Sequence, residues 1–198
     1  MPSFLRLVGV LLILLLPPAA SCAGQTLIEL EAPALLKFAG EGSNMEAEFL
    51  FRLHSVSPDL QLEWEHDFRL GAIVIPRNVL HHSISILKRT RLENGRKVTL
   101  RGNILGVSQE IYQQLEKGGK VTVKFDRVRG WMQKTGDTTY ALPGRLLPAI
   151  TVTDDRDNRY IIQKNPRFPL FLSFESDYYT ERLVEYYHGE EIIFRWFK

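Results

Sequence analysis

The longest regular pattern in the chain runs from Leu60 to Leu70, where apolar and polar side chains alternate without a break. Successive side chains of a β-strand point to opposite faces, so strict alternation predicts a half-buried strand of an antiparallel sheet. The predicted buried face collects the following residues: Leu60, Leu62, Trp64, His66, Phe68 and Leu70. A chain with such a segment is expected to fold into a sheet with one face on the core and the other in water.

Shorter strand patterns occur on both sides of this segment. Glu46 to His54 alternates, and its apolar residues are predicted to face the core. The other predicted strands are Leu27 to Glu31, Lys120 to Arg127, Ala149 to Thr153, Arg159 to Gln163, Phe168 to Phe174, Tyr179 to Tyr187 and a closing strand, Ile192 to Phe197. Predicted turns separate them, among them Ser57-Pro58-Asp59, Thr135-Gly136-Asp137 and Pro143-Gly144.

Two further local signals predict a hairpin and a helix. Asn94-Gly95 suits a two-residue hairpin turn, because both central residues must adopt positive φ. It predicts that His81 to Leu92 pairs with Lys97 to Arg101. Ser108 to Lys117 has a capping serine, apolar residues at helical spacing and a terminating Gly118-Gly119, which together predict the helix of the mature chain.

These elements predict one fold class. Roughly ten strands and one short helix are typical of a single antiparallel barrel or sandwich. Neither an internal repeat nor a low-complexity linker divides the sequence, so residues 27–198 are expected to form a single β-rich domain. The apolar fraction of 44% is that of a globular chain and excludes disorder as its main state.

Residues 1–21 have the order of charge, apolar core and small residues that is typical of a secretory signal peptide. Arg6 precedes the apolar run Leu7 to Leu16, and Pro17 and Pro18 end any helix before a series of small residues. The apolar run is too short to span a bilayer, so the segment is interpreted as a removable leader rather than an anchor. Export of the mature chain is therefore predicted.

The exit from this leader allows two processing reactions. Ala19-Ala20-Ser21-Cys22 resembles the lipobox of bacterial lipoproteins. The resemblance implies that Cys22 is acylated, that residues 22–26 form a tether, and that the acyl chains hold the protein at a membrane of the cell envelope, facing the periplasm. Ala23, not aspartate, follows the cysteine, and by resemblance to the sorting rules of Gram-negative lipoproteins this favours the outer membrane. Alternatively, signal peptidase cleaves before Gly24 and releases a secreted soluble protein.

A second resemblance covers roughly Arg96 to Tyr187. Three segments occur in an order similar to that of uncharacterised secreted bacterial β-rich domains: Gly106-Val107-Ser108 with Tyr112 and Leu115, Leu147-Pro148-Ala149-Ile150, and Asn165 with Phe168-Pro169-Leu170. The resemblance implies a β-rich fold and assigns no catalytic residue.

Charge and cysteine content limit the partners and the stabilising chemistry. The chain has 25 basic and 23 acidic residues, and this near-neutral balance argues against a general nucleic-acid-binding protein. Cys22 is its one cysteine, so no disulfide forms within a single chain and packing must supply the stability.

Basic residues around the predicted hairpin are candidate contacts for anionic lipid headgroups or phosphates. The group consists of Lys88, Arg89, Arg91, Arg96, Lys97 and Arg101. If these side chains are unpaired, they are expected to bind the ionised oxygens of an anionic lipid or of another envelope component. Pairing with acidic residues across the strands is the alternative, and it would make the group purely structural.

The motifs of catalytic and metal centres are absent from the sequence, so no catalytic residue, metal or cofactor is predicted. Glu63, Glu65 and Asp67 lie on the polar face of their predicted strand and are expected to be solvated. His81 and His82 are adjacent and would point to opposite faces of a strand, where they cannot chelate one ion. The segment Asp154 to Asn158 lacks the glycine and the distal glutamate of an EF-hand loop and is interpreted as a polar turn.

Aromatic residues are dense near the C-terminus: Phe168, Phe171, Phe174, Tyr178, Tyr179, Tyr186, Tyr187, Phe194, Trp196 and Phe197. They are interpreted as core and closing strand, and alternatively as a wall that binds an apolar or sugar ligand.

These patterns support three hypotheses about function. The leading one is a non-catalytic, lipid-anchored envelope protein that binds another protein or an envelope component. The alternative is a periplasmic carrier that holds an apolar or lipid ligand in an incompletely closed β-sheet, with the Ser108 helix as a lid. The third is a hydrolase, which would need His66 or His188 beside a carboxylate in a cleft.

Overall fold

Antiparallel β-strands make up most of the chain that the structure describes. The structure is a computed structural model, and it describes residues 27–43, 45–89 and 92–189. The predicted leader, Cys22 with its tether, Arg91 and the predicted closing strand Ile192 to Phe197 lie outside these residues. The described residues form twelve strands and two α-helices.

The strands, in chain order, are β1 Ala34–Gly42, β2 Met45–Ser55, β3 Leu60–His66, β4 Arg69–Ile75, β5 Ser85–Ile86, β6 Lys97–Thr99, β7 Lys120–Phe125, β8 Val128–Leu142, β9 Arg145–Asp154, β10 Arg159–Gln163, β11 Phe171–Glu175 and β12 Tyr179–His188. The helices are α1 Arg77–His82, before β5, and α2 Gln109–Glu116, between β6 and β7. In the described part of the chain, no helix has both the length and the apolar character needed to cross a membrane.

All twelve strands belong to one sheet, in the order β5-β7-β8-β9-β10-β11-β12-β1-β2-β3-β4-β6. Neighbours pair antiparallel except at the two ends, where β5 runs parallel to β7 and β6 parallel to β4. β1 lies between β2 and β12, so both halves of the chain meet in the middle of the sheet. The predicted class, mainly β with a short helix, is confirmed; the structure adds strands to the roughly ten expected and adds the helix α1.

The sheet does not close strand to strand, but the segment between β6 and α2 connects its two edges. On one side, Leu100 N donates to Val74 O of β4 at 2.9 Å. On the other, Asn103 N donates to Ser85 O at 2.9 Å, and Leu87 N donates to Asn103 O at 2.8 Å. These bonds occupy backbone groups that a bare sheet edge would offer to another chain.

Residues 102–108, which we call the interior segment, are buried throughout. A buried irregular segment needs partners for its polar backbone groups. Asn103 supplies several of them: its Oδ1 accepts from Leu105 N at 3.0 Å and from Gly106 N at 3.3 Å, and its Nδ2 donates to Val107 O at 3.1 Å. One amide side chain thus allows this segment to pass through the core.

The core consists of two clusters. The larger is built mainly from β1 to β4 and β12, and its fully buried aromatic side chains are Phe38, Phe49 and Phe51. The smaller combines α2 with strands β7 to β10. The predicted helix is confirmed as α2: Ser108 Oγ accepts from Ile111 N at 3.3 Å and caps its N-terminus.

The predicted strand Leu60 to Leu70 is wrong in its second half. β3 ends at His66, and Asp67 and Phe68 form a turn with φ of 47° and 61°. A two-residue turn with positive φ at both positions matches the twist of the flanking strands. Because the turn moves the inward positions to the odd-numbered residues of β4, Phe68 and Leu70 are 102% and 61% exposed.

The predicted hairpin around Asn94-Gly95 is also wrong. His81 belongs to α1, and β6 pairs with β4 rather than with the residues that precede the turn. The cause is a pair of hydrogen bonds to the edge of β4: Asn94 Oδ1 accepts from Leu70 N at 3.0 Å, and Gly95 N donates to Leu70 O at 2.7 Å. The turn therefore docks on β4, and the chain continues parallel to it.

Two other local predictions fail for related reasons. Residues 27–31 are not a strand; Ile28 is buried, but Gln163 Nε2 and Asn165 Nδ2 donate to its carbonyl at 3.2 and 3.0 Å in place of a neighbouring strand. The predicted turn at Gly136 lies inside β8, where the pairing with β9 only shifts its register, as at a β-bulge. The predicted strands Ala149 to Thr153 and Arg159 to Gln163 are present within β9 and β10, and they pair antiparallel with each other.

Candidate ligand-binding cavity

A cavity of about 690 Å³ lies at one end of the sheet. The turns that join β1 to β2, β9 to β10 and β11 to β12 contribute to it, because alternate turns of successive antiparallel strands lie at the same end of a sheet. Its volume falls within the roughly 300–1,000 Å³ that is usual for sites that hold small organic ligands.

The lining residues form three groups. The apolar and aromatic group is Phe38, Ile86, Leu87, Ile104, Phe125, Tyr160, Phe171 and Phe174. The second group consists of one glycine and of polar or charged residues: Gly42, Ser43, Lys88, Asp154, Arg156, Asn158, Ser173, Ser176, Asp177 and Tyr178. The third group is the trio Arg89, Tyr179 and Glu181.

Glycines on the inner face of β1 leave room beside the cavity. Gly40 and Gly42 follow Phe38 at steps of two residues, so they lie on the same, inward face of β1 as the buried Phe38. A Cβ atom at Gly40 would collide with the phenol ring of Tyr179, which lies against this position. Glycine inside a strand often marks such a close approach. Here it lets the Tyr179 side chain pack on β1 and reach the cavity wall.

Tyr160 is the centre of the aromatic part of the wall. Its ring centroid lies 6.0 Å from that of Phe125, 5.5 Å from that of Phe171 and 5.1 Å from that of Phe174. Rings at these separations attract one another. Strands β7, β10 and β11 thus supply one continuous aromatic surface.

The carboxylate of Asp154 fixes both the turn after β9 and the position of Tyr160. It accepts hydrogen bonds from Arg156 N at 2.9 Å, Asn158 N at 3.0 Å, Asn158 Nδ2 at 2.9 Å and Tyr160 Oη at 2.9 Å. Burial, reinforced by Asp154, raises the pKa of Tyr160 above its ordinary range, so the phenol keeps the proton that it donates. The polar turn predicted at Asp154 to Asn158 is present, with Asp154 as its internal acceptor.

An ion pair is buried in the same wall. Arg89 Nη1 donates to Glu181 Oε1, and the two side chains are only 5% and 13% exposed. Tyr179 Oη lies 3.3 Å from the other carboxylate oxygen and donates to it. The Arg89 guanidinium also lies over the ring of Phe38, 3.6 Å from its centroid, in cation–π geometry. Glu181 is therefore held by two donors, and Arg89 by a carboxylate and an aromatic face.

The charge state of this group follows from its burial. Burial lowers the pKa of Arg89 to about 9, which leaves the guanidinium positively charged at neutral pH. Burial also raises the pKa of Tyr179, although Arg89 acts in the opposite direction, so the phenol remains a donor. Arg89 Nε is fully enclosed and has no hydrogen-bond partner within the described ranges.

The predicted group of basic residues does not form one surface. Lys88 and Arg89 line the cavity; the described members that do not are Arg96, Lys97 and Arg101. The difference arises because β5 and β6 stand at opposite ends of the strand order instead of in one hairpin. Arg96 Nη1 contacts Glu93 Oε2 at 2.9 Å on an exposed turn. Arg91 lies outside the described residues.

The predicted solvated carboxylates are confirmed as exposed. Arg52 Nη2 lies 2.7 Å from Glu65 Oε2, and His54 Nε2 lies 3.3 Å from Glu63 Oε2. Asp67 is exposed as well, although it belongs to the β3–β4 turn and not to a strand. These surface contacts contribute little to stability.

The histidines lie away from the cavity. The ring of His66 stacks on Phe49, with centroids 4.1 Å apart, and its Nε2 lies 3.2 Å from Asp67 Oδ2. His81 and His82 are in α1, so the strand geometry expected for them is wrong. Among the residues that the structure describes, no three His, Cys, Asp or Glu side chains are arranged to hold a metal ion.

The sequence predicted part of the wall, including Arg89, but not the acidic partner of Arg89. The residues of the C-terminal aromatic group that line the cavity are Phe171, Phe174, Tyr178 and Tyr179. Glu181 was not a candidate. It lies between Tyr179 and Leu183 on the inward face of β12, where a charged residue is unexpected. That position is the signal that could have found it.

The proposed lid is not part of this cavity. The residues of α2 are absent from its lining. Instead, Ile111, Tyr112 and Leu115 pack into the smaller core cluster. The helix is thus a core element, and the cavity is bounded by strands and turns.

No protein-family model matches the chain, and no curated protein is significantly similar to it in sequence. Its function is therefore inferred from the cavity itself.

Proposed function

We propose that the protein is a non-catalytic carrier that holds an apolar ligand, such as an aliphatic chain, in the cavity. The observation that carries this proposal is a space of about 690 Å³ whose lining surface is mostly apolar. Transfer of apolar surface from water into such a space contributes roughly 25 cal/mol per Å². An extended hydrocarbon chain therefore gains enough free energy to bind without any reaction taking place.

Binding of another envelope protein is the second candidate. The observation that favours it is the β3–β4 turn, where Phe68 and Leu70 are exposed next to one another. Exposed apolar residues are common on monomers and mark an interface only when they form a large patch. The cavity is the stronger of the two indications, because the buried residues Ile104 and Phe171 line a concave space, whereas Phe68 and Leu70 are two exposed residues on a turn.

Titration with an uncharged apolar dye tests the carrier function. We expect the purified chain, stripped of lipid, to enhance the fluorescence of N-phenylnaphthylamine saturably, and hydrocarbon-chain ligands to displace the dye. Gly42 lines the cavity and lies on the same face of β1 as the buried Phe38, so Gly42→Trp should fill the space and abolish saturable binding. Thr139→Trp is the matched control, since Thr139 is exposed on β8, and it should bind the dye as the wild type does. Saturable binding that is unaffected by Gly42→Trp would contradict the proposal.

The place of action is a second part of the proposal. We propose that the exported chain is acylated at Cys22 and held at a membrane of the bacterial envelope, facing the periplasm. This proposal is supported by the lipobox-like residues Ala19-Ala20-Ser21-Cys22. Radiolabelled palmitate should be incorporated into the wild type and not into Cys22→Ala. A mature protein that begins at an unmodified Gly24 would show that it is secreted instead.

A further inference from the structure

We propose that the cavity selects ligands whose polar end is uncharged, with a long-chain alcohol as the representative class, and that the buried Arg89–Glu181 pair makes the selection. This inference rests on the proposed carrier function. It goes further because it assigns the chemical class of the ligand and the residues that discriminate.

The pair is placed where a ligand end would meet it. Both Arg89 and Glu181 line the cavity, yet they are shielded from bulk water by Phe38 and by the packing of Tyr179 on β1. Opposite charges of equal size leave this part of the wall without net charge. The pair therefore offers hydrogen-bonding groups to a ligand without offering an unbalanced charge.

A hydroxyl group suits this environment because it is both a donor and an acceptor. A guanidinium has five N–H donors, and the structure assigns one of them, on Nη1, to Glu181. Each oxygen of the Glu181 carboxylate accepts one bond, from Arg89 or Tyr179, and retains a further lone pair. A ligand hydroxyl can accept from the first group and donate to the second.

A charged ligand end is unfavourable at the same place. A carboxylate would lose its hydration and approach the carboxylate of Glu181, while an ammonium group would approach the guanidinium of Arg89. Burial of an ion without a compensating partner is costly, and each of these residues already neutralises the other. Selection therefore arises from repulsion and desolvation of the wrong ligands as much as from attraction of the right one.

Other charged groups of the lining do not reverse this preference. Lys88, Arg156 and Asp177 are exposed to solvent, so water and salt screen their interaction with a ligand. Asp154 is buried, but its carboxylate is occupied by four donor contacts within its own turn. The affinity for a carboxylate ligand bound by Lys88 or Arg156 at the rim would not change on substitution of Glu181. Variants of Glu181 therefore distinguish that arrangement from the one proposed here.

Displacement of N-phenylnaphthylamine by ligands with the same chain tests the inference. Dodecanol and methyl dodecanoate should displace the dye at concentrations about tenfold lower than dodecanoate or dodecylamine, a factor that corresponds to one modest charge interaction. Equal or tighter binding of dodecanoate to the wild type would overturn the inference while leaving the carrier function intact. Failure of the dye and of every ligand to bind would remove the carrier function itself.

Glu181→Gln provides the decisive variant. The amide keeps a hydrogen-bond acceptor for Arg89 but leaves the positive charge unbalanced, so dodecanoate should gain about tenfold in affinity and dodecanol should change little. Glu185→Gln is the matched control: Glu185 is on the same strand, lies 4.0 Å from Lys37 Nζ and is not part of the lining, so it should keep the wild-type order. If Glu181→Gln folds and still binds dodecanol more tightly than dodecanoate by the wild-type factor, the role of the pair is refuted. If the variant does not fold, the ranking of ligand affinities in the wild type decides.

Discussion

At the scale of single residues, the decisive contact joins two side chains that are 92 positions apart in sequence. Arg89 follows the short strand β5, and Glu181 lies near the start of β12. A charged pair in the core is unfavourable unless each member satisfies the other, since both lose their hydration. The position of the pair in the cavity wall is the reason for the role in ligand recognition proposed above.

Removal of one partner should therefore destabilise the protein strongly. Arg89→Met leaves Glu181 buried without its counter-charge, and we expect the free energy of unfolding in urea to fall by about 3–5 kcal/mol. The double substitution Arg89→Met with Glu181→Met removes both charges and should recover most of the loss. Equal instability of the single and double variants would show that side-chain shape, and not charge balance, is what matters at this site.

At the scale of elements, the interior segment leaves no space for a larger residue at Gly106. Its Gly106 lies so close to the carbonyl oxygen of Pro169 that a Cβ atom has no space, and the obstacle is backbone rather than a flexible side chain. We expect Gly106→Ala to lower the free energy of unfolding by about 1–3 kcal/mol through overpacking. Gly136→Ala in β8 meets nothing within 4 Å and should stay within about 0.5 kcal/mol of the wild type. Similar losses in both variants would contradict this explanation.

The β3–β4 turn should respond in the opposite direction. Phe68 has φ of 61° and is fully exposed, so its side chain brings steric strain and no packing. Relief of a left-handed conformation is worth about 1 kcal/mol, and Phe68→Gly should therefore raise the unfolding free energy by that amount. Val128→Gly, at an exposed strand residue without positive φ, is the control and should destabilise. A loss of stability in Phe68→Gly would indicate that the phenyl ring has a structural partner.

These elements also show which features a sequence pattern can predict. α2 follows from Ser108 and its neighbours, and β2 from alternation, because both depend on residues that are close in sequence. The docking of Asn94 on Leu70 spans 24 residues and redirects β6, and no local signal contains it. The same holds for the cavity. The density of aromatic residues near the C-terminus predicts its aromatic wall, whereas Glu181 stands out only when the inward-facing residues of β12 are known.

At the scale of the whole molecule, each core cluster includes or contacts a tyrosine whose ionisation opposes folding. Tyr112 belongs to the cluster around α2, and Tyr140 packs against the larger cluster, where its Oη donates to Leu183 O at 2.7 Å. Burial raises the pKa of each phenol from its ordinary value of 10.0 to about 12. The same pH range therefore weakens both halves of the sheet.

Stability is expected to fall as the pH rises from about 10 to about 12, because in that window the unfolded chain loses phenolic protons that the folded chain retains. Below that window the contribution of the neutral phenols is complete. Tyr140→Phe should reduce the loss between about pH 9 and pH 11.5, measured by urea unfolding. The substitution removes the hydrogen bond to Leu183 at both pH values alike. The change in unfolding free energy between the two pH values, compared for the variant and the wild type, therefore reports the ionisation of Tyr140 alone. Tyr112→Phe should add to this effect, since the two residues lie in separate clusters, and an undiminished loss in the double variant would show that other groups cause the alkaline unfolding.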